Sequence, residues 1–308
     1  MLDSSLKPVR LAALALSLTA LAGQSLAGAS RAPSAPPVES EQVIPAKPVE
    51  AKLAGGFTAT ELQAAVDSAY HAFKDLQDGE NADYIPILTT VPSDLFAVVI
   101  ATKDGQLFAA GDIDYKFSIQ SVSKPFTAAL LMKQQDPAAV LEKIGVEPTG
   151  MPFNSKLALE VYDDRSVNPL VNAGAIAAVS LVEADSEERR WAKVLQNLKD
   201  FAGADLPLLE KVYQSEYETA WGNRGIANLL YNYGRLYCDA EEALRVYTKQ
   251  CSIGVSAKDL AVMGATLANG GVNPITGNTV MPPAHVPELL ALMATAGFYD
   301  ESGAWMYS

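Results

Sequence analysis

Apolar residues recur at helical intervals near the start of the region that we expect to fold. Thr58 and Glu61 have the spacing of a capping box, in which two side chains satisfy the first free N–H groups of a helix. The apolar positions that follow are three or four residues apart, as on one helix face: Leu62, Val66, Tyr70 and Phe73. This pattern predicts a helix and places the start of the folded domain near Gly56.

The next pattern predicts a pair of β-strands. Two short apolar runs, 95–102 and 106–110, flank the dipeptide Asp104-Gly105. Asp-Gly between apolar runs is a strong hairpin signal, because these residues tolerate the positive φ angles of a tight turn. The segment 117–126 follows the hairpin, and its Pro125 fits the first turn of a helix.

The second half of the chain is predicted to be mostly helical. One helix should end at Gly234 after an apolar stripe of Ile226, Leu229, Leu230 and Tyr233. Ser256 and Asp259 resemble another helix start, and residues 288–294 predict one more helix. Strands are too few for an all-β protein. We therefore predict an α/β (α+β) fold, with an antiparallel sheet flanked by helices beside a mainly helical half.

The first 27 residues have the features of a secretory signal peptide. Basic residues precede an apolar run at 11–21, and a small-x-small cleavage site ends at Ala27. We expect cleavage and export to the periplasm or the medium; an uncleaved N-terminal anchor is the alternative. Residues 28–55 are rich in Pro and Ala and predict a flexible linker, so that the folded domain spans residues 56–308.

Composition narrows the chemistry further. A formal net charge of −13 and a pI of about 4.6 repel phosphate backbones, so we expect no nucleic-acid partner. The two histidines, His71 and His285, lie in no recognisable motif, which disfavours a catalytic imidazole and a zinc site. Cys238 and Cys251 lack metal-binding spacing, and we favour free buried thiols over a disulfide formed in an oxidising compartment. No metal and no cofactor is expected.

A candidate nucleophile lies just after the predicted hairpin. Ser121 and Lys124 form an S-x-x-K pattern, and residues three apart share a helix face. A buried lysine has a lowered pKa and then accepts the serine proton. The spacing alone is weak, because Ser4 and Lys7 share it within the signal peptide. Penicillin-binding enzymes also use S-x-x-K, but their later K-[ST]-G motif does not occur in this chain.

Several ordered motifs give the chain a resemblance to a known family. The segment Phe117-Ser-Ile-Gln-Ser-Val-Ser-Lys124 resembles the nucleophile motif of the serine-dependent glutaminases of bacteria and mitochondria. The further matching segments occur in family order: Tyr84-Ile-Pro, Pro152-Phe-Asn-Ser155, residues 168–176, Ser215-Glu216, Asn223-Arg224, residues 247–253, residues 259–271 and residues 297–303. The resemblance extends from about residue 58 to residue 308.

The resemblance implies a reaction and roles for individual residues. It implies hydrolysis of L-glutamine to L-glutamate and ammonia without a cofactor, on a β-lactamase-like fold that forms homo-oligomers. Ser121 would be the acylated nucleophile, Lys124 its base, and Tyr299 an aid to proton transfer. The substrate would be held by Tyr84, Gln120, Asn172, Glu216, Asn223 and Tyr247, together with Ser121 and Tyr299.

Two departures from the family pattern lead to further expectations. Ser166-Val167 stands where the family usually has Pro-Arg. The chain ends at Ser308, before a glycine-rich segment that in the family supplies an oxyanion donor and strands, so we expect the catalytic domain to be C-terminally incomplete. Two alternatives stay open, namely a related penicillin-recognising serine acyltransferase or hydrolase, and an inactive remnant that binds glutamine.

Overall fold

The computed structural model describes residue 53, residues 55–161 and residues 166–308. The predicted signal peptide and nearly all of the linker lie outside the described residues. The described helices are α1 (Ala59–Phe73), α2 (Lys124–Gln135), α3 (Pro137–Lys143), α4 (Leu157–Val161), α5 (Asn172–Leu181), α6 (Glu187–Ala202), α7 (Glu210–Thr219), α8 (Trp221–Asn232), α9 (Ala240–Cys251), α10 (Ala257–Ala268), α11 (Val286–Ala296) and α12 (Ser302–Tyr307). The strands are β1 (Ala97–Ala101), β2 (Leu107–Gly111), β3 (Phe117–Ser118) and β4 (Gly254–Val255).

The predicted helix starts and the predicted hairpin are confirmed. The predicted capping box forms at Thr58 before α1, and the helix start predicted at Ser256 is a second capping box, before α10. Strands β1 and β2 pair antiparallel, and Gly105 in their turn has a φ of 81°, which glycine adopts without strain. Helices α1 and α10 both pack against this hairpin. The apolar stripe that ends at Gly234 lies on α8.

A second, very short strand pair determines where the candidate nucleophile lies. Phe117 and Ser118 of β3 pair antiparallel with Val255 and Gly254 of β4, which follows α9. The N–H of Ile119 then donates to the carbonyl of Ile253 at 2.8 Å. These bonds attach the chain immediately before Ser121 to the end of α9. Segments that are far apart in sequence therefore meet at the start of α2.

Helix α5 is the centre of the helical core. All ten of its residues are buried, between α2, α8 and α9. Such a helix shows no amphipathic period, because it has no side that faces water. The polar side chains of this helix are those of Asn172, its first residue, and Ser180.

Replacement of Gly174 by alanine is expected to destabilise the fold severely. A Cβ at this position would lie 1.7 Å from the carbonyl oxygen of Asn168. This oxygen belongs to the backbone, so a side-chain rotation cannot relieve the clash. We expect the free energy of unfolding to fall by about 3 kcal/mol or more, as for strong overpacking. Urea unfolding followed by circular dichroism measures this loss.

Gly264→Ala is the matched control for that substitution. Gly264 also lies inside a helix, α10, but it is exposed, and a Cβ there would meet no atom within 4 Å. Alanine should stabilise this helix by about 0.5–1 kcal/mol through its higher helix propensity. Equal effects of the two substitutions would contradict the close approach of Gly174 to Asn168.

The two cysteines are free thiols. Cys238 lies two residues before α9 and Cys251 is the last residue of α9, and the helix between them is roughly 16 Å long at 1.5 Å per residue. A disulfide requires Cα atoms within about 7 Å. The preference for free thiols is confirmed; Cys251 is buried, whereas Cys238 is half-buried.

Within the described part of the chain, we find no helix with the length and hydropathy for a bilayer span.

Candidate active site

The candidate nucleophile lies in a tight turn that leads directly into α2. Residues Gln120–Ser123 form one turn of 3₁₀-helix, and α2 begins at Lys124 with Pro125 in its first turn. Side chains three residues apart eclipse each other in a 3₁₀-helix, which places the side chains of Ser121 and Lys124 on one side. Ser121 is half-buried and therefore accessible, whereas Lys124 points into the core.

The amine of Lys124 is almost completely removed from water. The side chain is 1% exposed, and burial lowers the pKa of its amine to about 8, against a smaller raising effect of the Glu216 charge. Among the described residues, Asn172 Oδ1 accepts the hydrogen bond of this amine, at 2.7 Å. An uncharged amide orients the amine without the full charge of a carboxylate, which would favour the protonated form. The amine is thus suited to act as a base near neutral pH.

Tyr299 lies against both members of the Ser121–Lys124 pair. Its side chain makes a polar contact with Ser121, and its ring centroid is 5.2 Å from Lys124 Nζ. The ring of Phe153 packs on that of Tyr299 at 5.1 Å between centroids. Burial raises the pKa of the Tyr299 hydroxyl, more than the contact with Ser121 lowers it. The hydroxyl therefore remains protonated in the range where the Lys124 amine titrates.

Asn172 connects the amine to the far wall of the site. Its Oδ1 accepts from Lys124 and, at 3.3 Å, from the hydroxyl of Tyr247, while its Nδ2 donates to Asn223 Oδ1 at 2.9 Å. Tyr247 is fully buried behind Asn172, which places its hydroxyl in the second layer of the site. One amide thereby fixes the positions of three other side chains that the resemblance assigns to the site.

A buried carboxyl group lies within reach of the Gln120 side chain. Glu216 is 7% exposed, and Gln120 Nε2 donates to its Oε2 at 3.4 Å and lies 3.1 Å from Ser118 Oγ. Burial raises the pKa of Glu216 to about 7, while the hydrogen bond from Gln120 and the charge of Lys124 lower it. The site therefore has one buried acid and one buried base, and a cationic ligand group would stabilise the ionised acid.

The cavity beside these residues has a volume of about 350 Å³. Tyr84 stands at its mouth with 66% of its surface exposed, and Asn172, Glu216 and Asn223 form its walls. Ala220 separates α7 from α8. Glu216 and Asn223 therefore reach the same cavity from two helices rather than from one face of a continuous helix.

The structure adds residues to which the sequence patterns assigned no role. Phe153, Asn154 and Lys156 also line the cavity, on the segment before and at the start of the short helix α4. The Lys156 side chain is exposed and brings a positive charge to the rim. The Pro152–Ser155 motif was the available signal for this wall, but a motif alone gives no side-chain direction.

The histidines do not contribute to this cavity. His71 lies on α1, with its Nδ1 at 2.7 Å from the carbonyl of Asp67, and His285 lies 3.9 Å from Asp136. Among the residues that the structure describes, no group of three or more His, Cys, Asp or Glu side chains is placed to hold a metal ion.

A family model described as Glutaminase matches residues 79–308. The chain belongs to the glutaminase family. The curated glutaminase of Escherichia coli O81 (strain ED1a) is 50% identical over 249 residues, which are 81% of this chain and 80% of that protein. A glutaminase of Mycobacterium ulcerans (strain Agy99) is 50% identical over 247 residues, with 80% of this chain and 77% of that protein covered. Membership in this family confirms the resemblance that the motifs gave and disfavours the penicillin-recognising alternative.

Solved glutaminase structures have the same fold. A structure titled "Probable glutaminase ybaS" is 50% identical, with a TM-score of 0.80 and coverage of 82% of this chain and 81% of that chain. A Bacillus glutaminase, 28% identical, has a TM-score of 0.73 and coverage of 80% and 79%. These glutaminases have the serine β-lactamase-like fold, which confirms the predicted fold class.

Proposed function

We propose that this protein hydrolyses L-glutamine to L-glutamate and ammonia through an acyl-enzyme on Ser121. One observation carries the serine mechanism: an accessible serine hydroxyl lies one 3₁₀ turn from a buried amine whose pKa is lowered to about 8. The 50% identity to curated glutaminases supports glutamine as the substrate. The cavity has a buried carboxyl group for the ammonium group of glutamine and amides for its polar ends.

The first half of the reaction forms an ester. Ser121 Oγ attacks the side-chain amide carbon of glutamine while the neutral Lys124 amine takes the hydroxyl proton. An N–H of the amine keeps its bond to Asn172 while the lone pair turns toward Ser121. The tetrahedral intermediate then breaks its C–N bond, and the leaving nitrogen receives the proton from Lys124 with the help of the Tyr299 hydroxyl. Ammonia departs and a γ-glutamyl ester of Ser121 remains.

The second half of the reaction returns the serine to its starting state. Water attacks the ester carbon and gives a proton to the Lys124 amine. The C–O bond to Ser121 breaks, Ser121 regains the proton, and glutamate leaves. In both halves the developing negative charge on the carbonyl oxygen needs a donor. The backbone N–H of Ser121 lies in the first turn of the 3₁₀ segment and has no acceptor within that turn. It is therefore free to donate a hydrogen bond to this oxygen.

The proposal is tested with the purified full chain and L-glutamine. We expect glutamate and ammonia in equal amounts, measured by an enzyme-coupled assay and by mass spectrometry. Binding of glutamine by calorimetry without release of ammonia would instead identify an inactive glutamine-binding protein and contradict the proposal.

Replacement of Glu216 by glutamine is expected to weaken substrate binding. The neutral amide no longer attracts the substrate ammonium, so KM should rise about 10- to 100-fold, as for a lost charged hydrogen bond. The negative charge of Glu216 raises the Lys124 pKa, so its removal should also move the rising limb of the pH profile to lower pH. Steady-state kinetics from about pH 6 to about pH 10 measure both effects.

Two controls separate this role from general damage. Glu218→Gln removes an exposed carboxylate from the same helix, α7, and should leave KM unchanged. A glutamine analogue without the α-amino group should react equally with wild-type protein and with the Glu216→Gln variant. A large loss with that analogue would show that Glu216 does not recognise the ammonium group.

We further propose that the protein is exported after cleavage near Ala27 and that it forms a homo-oligomer. The signal-peptide pattern supports export. The homo-oligomers that other glutaminases form support the second statement. The N-terminal sequence of the protein isolated from the periplasm or medium tests export. Light scattering of the mature chain tests the oligomer, and a monomeric mass would contradict it.

A further inference from the structure

The residue before the candidate nucleophile has a backbone conformation that residues other than glycine rarely adopt. Gln120 has a φ of 50°, in the left-handed region. Only four described residues other than glycine have a positive φ, and a second of them, Tyr299, lies in the same site. Such strain persists only where the surroundings enforce it. The groups around Gln120 must therefore hold it in this conformation.

A buried chain of three polar side chains ends on the carbonyl of Gln120. Ser123 Oγ donates to this carbonyl oxygen at 2.6 Å, and Gln250 Nε2, on α9, donates to Ser123 Oγ at 3.0 Å. Thr127 Oγ1, on α2, donates to Gln250 Oε1 at 2.5 Å. Ser123, Gln250 and Thr127 are all fully buried, so water does not compete for these bonds.

The chain of bonds has a fixed direction. The Ser123 hydroxyl has one proton, and the carbonyl of Gln120 takes it. Ser123 Oγ is then an acceptor toward Gln250, which requires the NH₂ group of the amide, and Oε1 of the same amide faces the Thr127 hydroxyl. A carboxylate at position 250 has no N–H to offer and could not replace the amide.

We propose that Ser123 and Gln250 are positioning residues that hold the Gln120 peptide in its strained conformation and thereby fix the direction of the Ser121 hydroxyl. This inference rests on the proposed role of Ser121 in glutamine hydrolysis. The same peptide carries the Gln120 side chain toward Glu216, so the turn connects the nucleophile to the carboxyl group of the site. Neither Ser123 nor Gln250 lines the cavity or needs to touch the substrate.

Elsewhere the chain offers a matched control with the same hydrogen-bond pattern. Ser180 Oγ donates to the carbonyl of Ala177, also three residues earlier, at 2.7 Å, and accepts from the N–H of Tyr237 at 3.1 Å. Ser180 is likewise buried, within α5. Alanine at position 123 or at position 180 therefore removes one buried hydroxyl with the same pair of bonds, but only the first holds the nucleophile turn.

The test compares Ser123→Ala with Ser180→Ala in the full chain. We expect Ser123→Ala to lower kcat for glutamine about 10- to 100-fold, the effect of a small misplacement of reacting groups, with KM within about twofold of wild type. Ser180→Ala should lose comparable stability in urea unfolding and keep its kcat. An unchanged kcat in folded Ser123→Ala, or an equal loss in Ser180→Ala, would overturn the inference and leave the proposed function intact.

A double substitution tests whether Gln250 acts through Ser123. Gln250→Met keeps the side-chain volume and removes the amide, and it should lower kcat about as much as Ser123→Ala does. The combined variant should be no slower than Ser123→Ala alone, because residues in one chain of bonds are not additive. Additive losses in kcat would contradict the chain.

Hydrogen exchange gives a readout that does not depend on turnover. The backbone amides of residues 119–124 should exchange faster in Ser123→Ala than in wild type and should be unchanged in Ser180→Ala. This comparison tests whether Ser123 holds the turn even if the wild-type chain does not hydrolyse glutamine, which would be a failure of the proposed function alone. If Ser123→Ala does not fold, Gln250→Met and Thr127→Val are measured in the same way, and unchanged exchange in both would overturn the inference.

Discussion

Replacement of Ser121 by alanine is expected to lower kcat for glutamine by at least about 10⁴-fold, as the loss of a serine nucleophile does in other acyl-transfer enzymes. Without the hydroxyl no ester forms, whatever the condition of the remaining site. Substrate binding should persist, because Glu216 and Asn223 reach the cavity from other elements. Steady-state kinetics together with calorimetric binding of glutamine measure the two effects separately.

Ser93→Ala is the control for this substitution, because Ser93 is an exposed serine that is not among the residues of the candidate site. A γ-anilide of glutamate provides a second test, since formation of the ester releases aniline, which is followed by absorbance. Rapid acid quenching should then trap a γ-glutamyl group on the peptide that contains Ser121. Activity of Ser121→Ala near the wild-type level, or the acyl group on another residue, would refute the nucleophile.

The second large effect is expected from Lys124. Lys124→Met keeps the length of the side chain but has no base, and kcat/KM should fall by about 10³-fold, within the usual range for a lost general base. Lys124→Arg should be similarly inactive, because a guanidinium stays protonated at any pH that the protein survives. Lys143→Met, a half-buried lysine whose amine bonds to Gln135, is the control and should remain active.

The pH profile of the wild-type chain distinguishes a base from a structural cation. The lowered pKa means that the amine is neutral above about pH 8 and protonated below it, because burial disfavours the charged form. Only the neutral amine takes the Ser121 proton, so kcat/KM should rise with pH through about 8 and fall about tenfold per unit well below it. A profile that falls as pH rises through this range would mean that the protonated form is the active one.

The Lys124 environment shows where sequence reasoning reached its limit. The S-x-x-K spacing indicated a shared side for the two residues, and the 3₁₀ turn provides it. The spacing gave no information on the acceptor of the amine, because Asn172 lies 48 residues farther along the chain. The depth of burial that lowers the pKa is likewise a property of the packed core, in which α5 lies behind the amine.

Helix boundaries show the same division. The helix starts at Thr58 and Ser256 and the turn at Gly105 involve residues that are neighbours in the chain, and the structure has them as predicted. The relation of Glu216 to Asn223 could not be predicted in the same way. Seven residues separate them, a spacing that one helix face provides only if the helix continues through Gly222, which has a low helix propensity. In the structure Gly222 lies within α8, and the helix instead breaks at Ala220.

The sequence by itself determined the helix starts, the hairpin, the identity of the candidate nucleophile and the family, because each depends on residue types at short, fixed spacings. Only the tertiary structure decided the electrostatic state of the site. The bond from Lys124 to Asn172, the burial of Glu216 and the polar chain from Gln250 to Gln120 join segments up to 130 residues apart. Their energies depend on the exclusion of water, and water is excluded only when the helices around α5 pack together.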